Sequence, residues 1–474
     1  MKFSSELVIG LEVHTELNTK SKLFCGCQRG DKGEPNTNVC PICLGHPGTR
    51  PVLNKKALEK ALKLCLALSC DISKELIFSR KSYFYPDMSK NFQITQFEQP
   101  LGSKGKLQLK TGKVINLTRI HIEEDPAALS YPREMKDSLY VKIDYNRSGN
   151  PLVEIVTEPE LASPAEAREF VNELVSILEY LEIFDINLCT LKTDANVSIK
   201  ESGYERVEIK NINGARELEK ALTYEITRQK TLLRRGLKVK RETRGWSETG
   251  KTTTSLRSKE NEEDYGYIVE PDLSTVDISE DVIINLKSKI PELSQQKAER
   301  FVKQYKIDKT DAQVMSSELE LADLFEKVAK EIEPKMAARW LRKEFLRVLN
   351  YSKKTIKEIR FNEKEIIELL ILMKNKTISD KTAQRLIEKL VEERFSPKEF
   401  VKNEGLSQVS SEDEIKKLCE RVITENKKAV KDYLSGVEKS FHYLVGQVMR
   451  LSGGKASPEL TDKIMKEELK DSLT

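Results

Sequence analysis

The chain has 474 residues, 38% of them hydrophobic and 33% charged, with 80 basic against 76 acidic side chains and a formal net charge of +4. That length exceeds one ordinary core and predicts two or three domains with a soluble, ion-rich surface. Near-balanced charge excludes a globally basic nucleic-acid binder, while a local basic surface remains open. No apolar run reaches the length of a membrane span, and the N-terminus lacks a signal-peptide pattern, which predicts a cytoplasmic chain without a membrane partner. Eight cysteines in such a chain are too few for a disulfide framework. In a reducing compartment, closely paired thiols read as metal ligands.

The chain opens on Leu7 to His14, where Leu7, Ile9, Leu11 and Val13 alternate with Gly10, Glu12 and His14. Period two predicts a half-buried strand that shows a carboxylate and an imidazole on its polar face. Cys25-x-Cys27 and Cys40-x-x-Cys43 follow, with His46 as a possible substitute ligand. Four soft thiolates at this spacing suit a closed tetrahedral zinc shell, which is structural rather than catalytic. Asn54 predicts a helix cap, and Cys65 and Cys70 read as small buried hydrophobes in or beside that helix. From 76 to 160 short alternating runs predict strands. One hairpin is expected around Thr111-Gly112, and a second with Tyr140–Tyr145 and Leu152–Val156 as its arms, joined by Arg147–Pro151. Ser163-Pro164-x-Glu166 is a capping-box helix start. Strands at 194–199 and 206–211, a helix over about 215–233 and further strands to about 276 complete this part. Beyond Pro291, Lys- and Glu-rich amphipathic helices dominate, with Phe301, Leu319, Leu324, Trp340, Leu341, Leu346, Ile367, Leu370 and Leu386 as core-face residues. The expected architecture is α+β: a mixed, largely antiparallel β body with helices over 1–291, an all-α domain over 292–405 and a small helical tail over 406–474.

Acids recur on the predicted strands: Glu12 beside His14, the run His121-Ile122-Glu123-Glu124-Asp125, and Asp144 and Glu154 on the two arms of the second hairpin. Within the run, Glu123 and Asp125 share one strand face and Glu124 points the other way. Acidic runs are more often solvated loops. Recurrence of acids and a histidine on several strands of one domain suits convergence on Mg²⁺, because clustered carboxylates repel unless a cation neutralises them. Candidate cations are Arg80-Lys81, next to Tyr83, Tyr85 and Asp87, and then Lys90, Arg147, Lys192 and Lys210. Acids and bases together suit ATP and phosphoryl transfer. Gly245 to Thr252 matches the P-loop pattern with Lys251 in the lysine position. Its flanks are charged before and β-prone after, so it reads as a turn between strands. No nucleophile triad is visible, His442 reads as a packing residue, and nothing resembles an amidase motif.

Val8 to His14, Tyr83 to Asp87, His121 to Asp125, Pro151 to Val156, Glu208 to Asn211 and the tail from Phe441 to Gly454 together closely resemble the B subunits of the aspartyl/glutamyl-tRNA amidotransferases, the GatB family. The resemblance runs from Glu6 to the C-terminus. It implies a cradle-type catalytic body and a tRNA-contacting helical tail, in a heterotrimer with a glutaminase (the A component) and a small third chain (the C component). The implied reaction uses ATP and Mg²⁺ to phosphorylate the side-chain carboxylate of Glu-tRNA(Gln) or Asp-tRNA(Asn), after which ammonia from the glutaminase displaces phosphate. Carried over by position, Glu12, His14, Glu124 and Glu154 are metal ligands or their neighbours, and Lys81, Lys90 and Arg147 lie near phosphate or the channel exit. Lys427, Lys428, Lys431, Arg450 and Lys455 of the tail are candidates for tRNA phosphates. Two alternatives stand beside this reading: a non-catalytic zinc-containing tRNA-binding scaffold, and a P-loop NTPase using Lys251.

Overall fold

A computed structural model describes residues 6–30, 33–132, 138–258, 265–359, 363–406, 412–452 and 456–471. The chain divides into two compact units, Met1–Leu293 and Ser294–Thr474.

The first unit is α+β. Its strands are β1 (Leu7–Glu16), β2 (Asp71–Ile72), β3 (Glu75–Leu76), β4 (Ser79–Ser82), β5 (Phe92–Thr95), β6 (Gly102–Gln108), β7 (Val114–Glu124), β8 (Ala128–Ser130), β9 (Lys142–Asp144), β10 (Pro151–Thr157), β11 (Leu191–Ile199), β12 (Val207–Asn213), β13 (Glu242–Ser247), β14 (Thr252–Ser258), β15 (Gly266–Val269) and β16 (Val276–Asp277). Nine of them form one sheet in the order β14-β13-β12-β11-β1-β10-β7-β6-β2. Every pairing in it is antiparallel except β12 with β13. A small sheet β15-β4-β5 stands apart from it, and β16 pairs with β3.

Alternation assigns the two faces of the large sheet. Ile9, Leu11 and Val13 of β1, Ile120 and Ile122 of β7, Val153 and Ile155 of β10, and Ala195 and Val197 of β11 all enter one buried core. Helices α1 (Lys55–Ala67), α2 (Pro164–Tyr180) and α3 (Ala215–Arg234) supply the rest of that core through Leu62, Leu64, Phe170, Leu174, Leu218 and Leu222. The opposite face carries the polar members of each strand, so the sheet is half-buried in the way its alternating sequence demands. Cys65 is fully buried in this core, and Cys70 packs half-buried against it.

Local signals mostly act as written. The Asn54 side chain accepts from the backbone N–H groups of Lys56 and Ala57 and starts α1. At α2, Ser163 accepts from Glu166 N–H with Pro164 in the first turn. The reciprocal half of the capping box differs: the Glu166 carboxylate takes the N–H of Ala162, at 2.9 Å, and Lys113, at 2.7 Å. The Thr111-Gly112 turn closes β6 onto β7, with Gly112 at φ +91°.

The second expected hairpin does not form. β9 pairs with β8, with Asp144 opposite Ala128, whereas β10 lies between β1 and β7. β9 is three residues long and at no position fully buried, whereas β10 is buried at every position but Val156 and takes β1 and β7 as its neighbours. Gly245–Thr252 spans the end of β13, the turn at residues 248–251 and the first residue of β14, so a strand opens where a P-loop needs a helix.

The second unit is helical. Phe301, Leu324, Trp340, Leu341, Leu370 and Leu386 are buried, while Leu319, Leu346 and Ile367 are half-buried at the margin of the same stripes. Toward its end, Ile415, Val422, Phe441, Leu444, Val448 and Met465 form a small core of their own. His442 is exposed beside buried Phe441, because the helix Glu438–Leu451 turns residue 442 off its apolar face. The packing role expected for it is therefore corrected. Among the described residues, no helix is long and apolar enough to cross a membrane.

Candidate active site

The polar face of the large sheet floors a cleft of about 850 Å³. Strand register builds that floor. His14 of β1 stands opposite Glu154 of β10, and Glu154 stands opposite His121 of β7. On the other side His14 faces Lys192 of β11. Glu123 lies two residues beyond His121 on the same face, so it reaches the same point. His14 Nδ1 is 3.1 Å from Glu123 and 4.0 Å from Glu154, while His121 Nε2 is 3.1 Å from Glu154 and 3.6 Å from Glu123. Thr95 Oγ1 donates to Glu123 at 3.2 Å.

These groups fix one another's charge. Burial opposes protonation of His14 and His121, but the Glu154 charge and the Glu123 hydrogen bond outweigh it and hold both imidazoles up at about 9. Burial likewise pushes Glu154 up, and the two imidazoles overcome that and pull it down to about 2. Glu123 is held well below its ordinary value in the same way. His14, Glu123 and Glu154 offer ligand atoms within 4.8 Å of one another, a spacing that suits the oxygen–nitrogen shell of a small divalent cation.

Glu12 lies one strand-repeat from His14 and also lines the cleft, accepting from Asn196 at 3.2 Å. Burial, and then the charge of Glu154, raise its carboxyl. Lys210 is 2.6 Å from Asp194 and 3.7 Å from Glu208, and these acids outweigh burial and raise its pKa. Lys81 and Tyr83 line the cleft from β4 and the residue after it, and burial raises the Tyr83 hydroxyl. Asp125 lines it too; burial pushes that carboxyl up to about 6 against the pull of Arg147.

Other expected site residues lie elsewhere. Glu124 points through the sheet to the opposite side, where it pairs with Lys90 and accepts from Ile94 N–H at 2.8 Å. Strand alternation makes this unavoidable once Glu123 faces His14, so Glu124 cannot share an ion with His14 and Glu154. Lys90 accompanies Glu124 in a smaller cavity of about 250 Å³ beside Cys43 and is likewise outside the cleft. Arg147 sits behind Asp125 at 3.2 Å and donates to the carbonyls of Pro126 and Ala127. Asp144, moved to the β8–β9 ribbon, accepts from the N–H groups of Asn36 and Asn146. Tyr85 is exposed and Asp87 half-buried, and neither lines the cleft. Sequence reasoning left out His121, Arg119 and Glu208 as site residues. All three line the cleft, and each stands at period two from a named one (Arg119-x-His121-x-Glu123, Glu208-x-Lys210), a signal that strand parity could have supplied.

The four thiols form a second cluster. The Sγ atoms of Cys25, Cys27, Cys40 and Cys43 lie within 4.8 Å of one another, a set that can hold a metal ion. Cys40 N–H donates to Cys43 Sγ at 3.1 Å. Lys22 is fully buried beneath them, its ammonium 3.8 Å from Cys43 Sγ and 3.0 Å from the Asn38 carbonyl. A buried cation there would compensate the excess negative charge of a four-thiolate shell if a metal ion were held. His46 is exposed and outside the cluster. The loop packs onto Lys90 through Gly45, at φ +70°, where a Cβ would lie 2.2 Å from Lys90 Cγ.

In the second unit Lys427, Lys428, Lys431 and Arg450 are exposed, and Lys427 and Lys428 border a shallow recess with Tyr443. Lys455 lies outside the described residues.

Residues 7–284 match the family model described as the GatB/GatE catalytic domain, and residues 323–469 match the one described as the GatB domain. Curated relatives named as the B subunit of aspartyl/glutamyl-tRNA(Asn/Gln) amidotransferase include one from Thermoanaerobacter sp. strain X514, 44% identical over 98% of this chain and 99% of its own. Another, from Carboxydothermus hydrogenoformans, is 41% identical over 98% of each chain. A third, from Methanospirillum hungatei, is 44% identical, again over 98% of each chain.

Proposed function

The chain belongs to the GatB family, the B subunits of ligase-type tRNA amidotransferases, and from that premise we propose that its cleft activates and then amidates the side-chain carboxylate of Glu-tRNA(Gln) or Asp-tRNA(Asn). The observation that carries this reading is the row His121–Glu154–His14 with Glu123, aimed into a cleft also lined by Lys81, Lys192 and Lys210. A carboxylate resists attack by ammonia, whereas an acyl phosphate does not. Making one calls for positioned charge rather than a covalent enzyme nucleophile. Held by His14, Glu123 and Glu154, with Glu12 nearby, Mg²⁺ would neutralise the phosphate oxygens of ATP. The ammoniums of Lys192 and Lys210 stabilise charge that develops on the transferred phosphoryl group. Asp125, which lines the cleft beside Arg147, is placed to take the proton released as ammonia attacks. Ammonia comes from a partner glutaminase, with a small third chain completing a heterotrimer. Zinc at the four thiols orders the loop behind the floor. Exposed Lys427, Lys428, Lys431 and Arg450 meet tRNA phosphates.

The test is an assay of the chain with its partner subunits on both misacylated tRNAs, following ADP and amidated product. Glu154→Gln and Glu123→Gln are expected to lower both by about 10²–10³-fold, the loss usual for a group that stabilises developing charge. Retained ADP formation in both variants would place the chemistry elsewhere.

A further inference from the structure

At the mouth of the cleft the small sheet presents an aromatic ledge. Register sets Tyr267 of β15 opposite Lys81 of β4, and Lys81 opposite Gln93 of β5, and all three side chains line the cleft. Phe97, just past β5, stacks on Tyr267 with ring centroids 3.8 Å apart and planes inclined by 12°. Tyr265 meets Tyr83 edge-on at 5.9 Å and lies 4.7 Å beneath the Lys81 ammonium. Phe97 lines the cleft and is nevertheless 42% exposed. Tyr267 covers one face of the ring, and the residue keeps enough exposed surface to meet a ligand in the cleft.

What sets Phe97 apart from other exposed apolar side chains is that it lines the cleft and is already stacked on a second ring. The ledge combines a preformed stacked pair with Lys81, which stands opposite Tyr267 in register and holds its ammonium over Tyr265. That combination takes a flat heteroaromatic ring joined to a phosphate, the repeating unit of single-stranded nucleic acid. Resting on the function proposed above, we propose that Phe97, backed by Tyr267, is the stacking platform for the unpaired 3′-terminal adenine of the aminoacylated tRNA, with Lys81 beside its phosphodiester. Stacking there would hold the terminal ribose, which carries the amino acid, over the His14–Glu123–Glu154 floor. The adenine of ATP has the same ring chemistry, and the KM values for ATP and for tRNA separate the two sources.

The experiment uses the enzyme assembled with its partner subunits. Its probe is tRNA with 2-aminopurine in place of the 3′-terminal adenine. Wild type is expected to quench the probe, and Phe97→Ala and Phe97→Leu to lose that quenching, with Phe97→Trp restoring it. For the two truncations KM for misacylated tRNA rises about 5- to 150-fold, which corresponds to the about 1–3 kcal/mol of one base–aromatic stack, and KM for ATP is unmoved. Because Phe97→Leu keeps apolar bulk and removes only the π face, a folding defect confined to Phe97→Ala does not obscure the result. A rise in KM for ATP with probe quenching intact overturns the proposal in favour of the nucleotide, and normal quenching with normal KM values in Phe97→Leu overturns it outright. A wild-type enzyme that quenches the probe but forms no ADP overturns the catalytic reading and leaves the platform standing.

Discussion

Among the described residues of the first unit, two clusters can hold a metal ion, and they are assembled in opposite ways. The thiol cluster draws its ligands from Cys25 to Cys43, one short loop, whereas the floor draws His14, Glu123 and Glu154 from three strands far apart in the chain. β7 separates them: Glu123 faces the floor, and Glu124, one residue later, pairs with Lys90 in a cavity shared with Cys25 and Cys43. A local cluster is a matter of loop length and ligand softness. A distributed one depends on which face each strand shows, and a slip of one residue exchanges its members.

The sharpest test of that contrast is the pair Glu123→Gln and Glu124→Gln. The first is expected to lose about 10²–10³-fold in ADP formation, and the second to keep most of it, because only Glu123 touches the floor. Equal losses would break the distinction between the two faces.

Next in size is the thiol cluster. Cys40→Ser is expected to abolish stoichiometric zinc, measured by elemental analysis, and to destabilise the first unit by more than about 4 kcal/mol, the range of a lost metal. Its effect on ADP formation at temperatures where the protein stays folded is smaller than that of Glu154→Gln. A zinc-free variant with unchanged melting would remove the structural role.

Glu124→Ala probes the wall between them. Its partner Lys90 is largely buried, so truncation leaves an unpaired ammonium and costs about 3–5 kcal/mol in chemical denaturation. Pairing Glu124→Ala with Lys90→Met is expected to recover most of that loss, and failure to recover it would mean the pair is not the interaction being removed.

The smallest effect is the pH dependence of the cation-free protein. His14 and His121 are raised from 6.5 to about 9, so their stabilisation is complete below 6.5 and is lost as pH rises through 9. Glu154 is lowered from 4.5 to about 2, so its contribution is complete above 4.5 and is lost as pH falls through 2. Melting curves of the chelator-treated chain are expected to decline between pH 6.5 and 9, with a shallower decline in His14→Gln. An identical slope in that variant would mean the imidazole is not held by these acids.

Much of this was legible in the residues alone. The alternation of Leu7 to His14, the α1 cap at Asn54, the Thr111-Gly112 hairpin and the Cys25–Cys43 loop all rest on neighbours within a few positions, where spacing and side-chain chemistry suffice. The turn at Gly245–Thr252 was legible for the same reason, since the charged run before it and the β-prone run after it both lack the setting of a P-loop. What only the tertiary structure decided is which strands neighbour which. Nothing local to Asp144 announces that its strand pairs with Ala128–Ser130 instead of Leu152–Val156, and nothing local to Glu124 announces a lysine waiting on the far side of the sheet. His121 enters the site because β10 happens to lie between β7 and β1, which sets His121, Glu154 and His14 in one row. Backbone pairing across a sheet links residues more than a hundred positions apart. The choice among possible pairings is made by the shared core beneath them, which a short window of sequence does not contain.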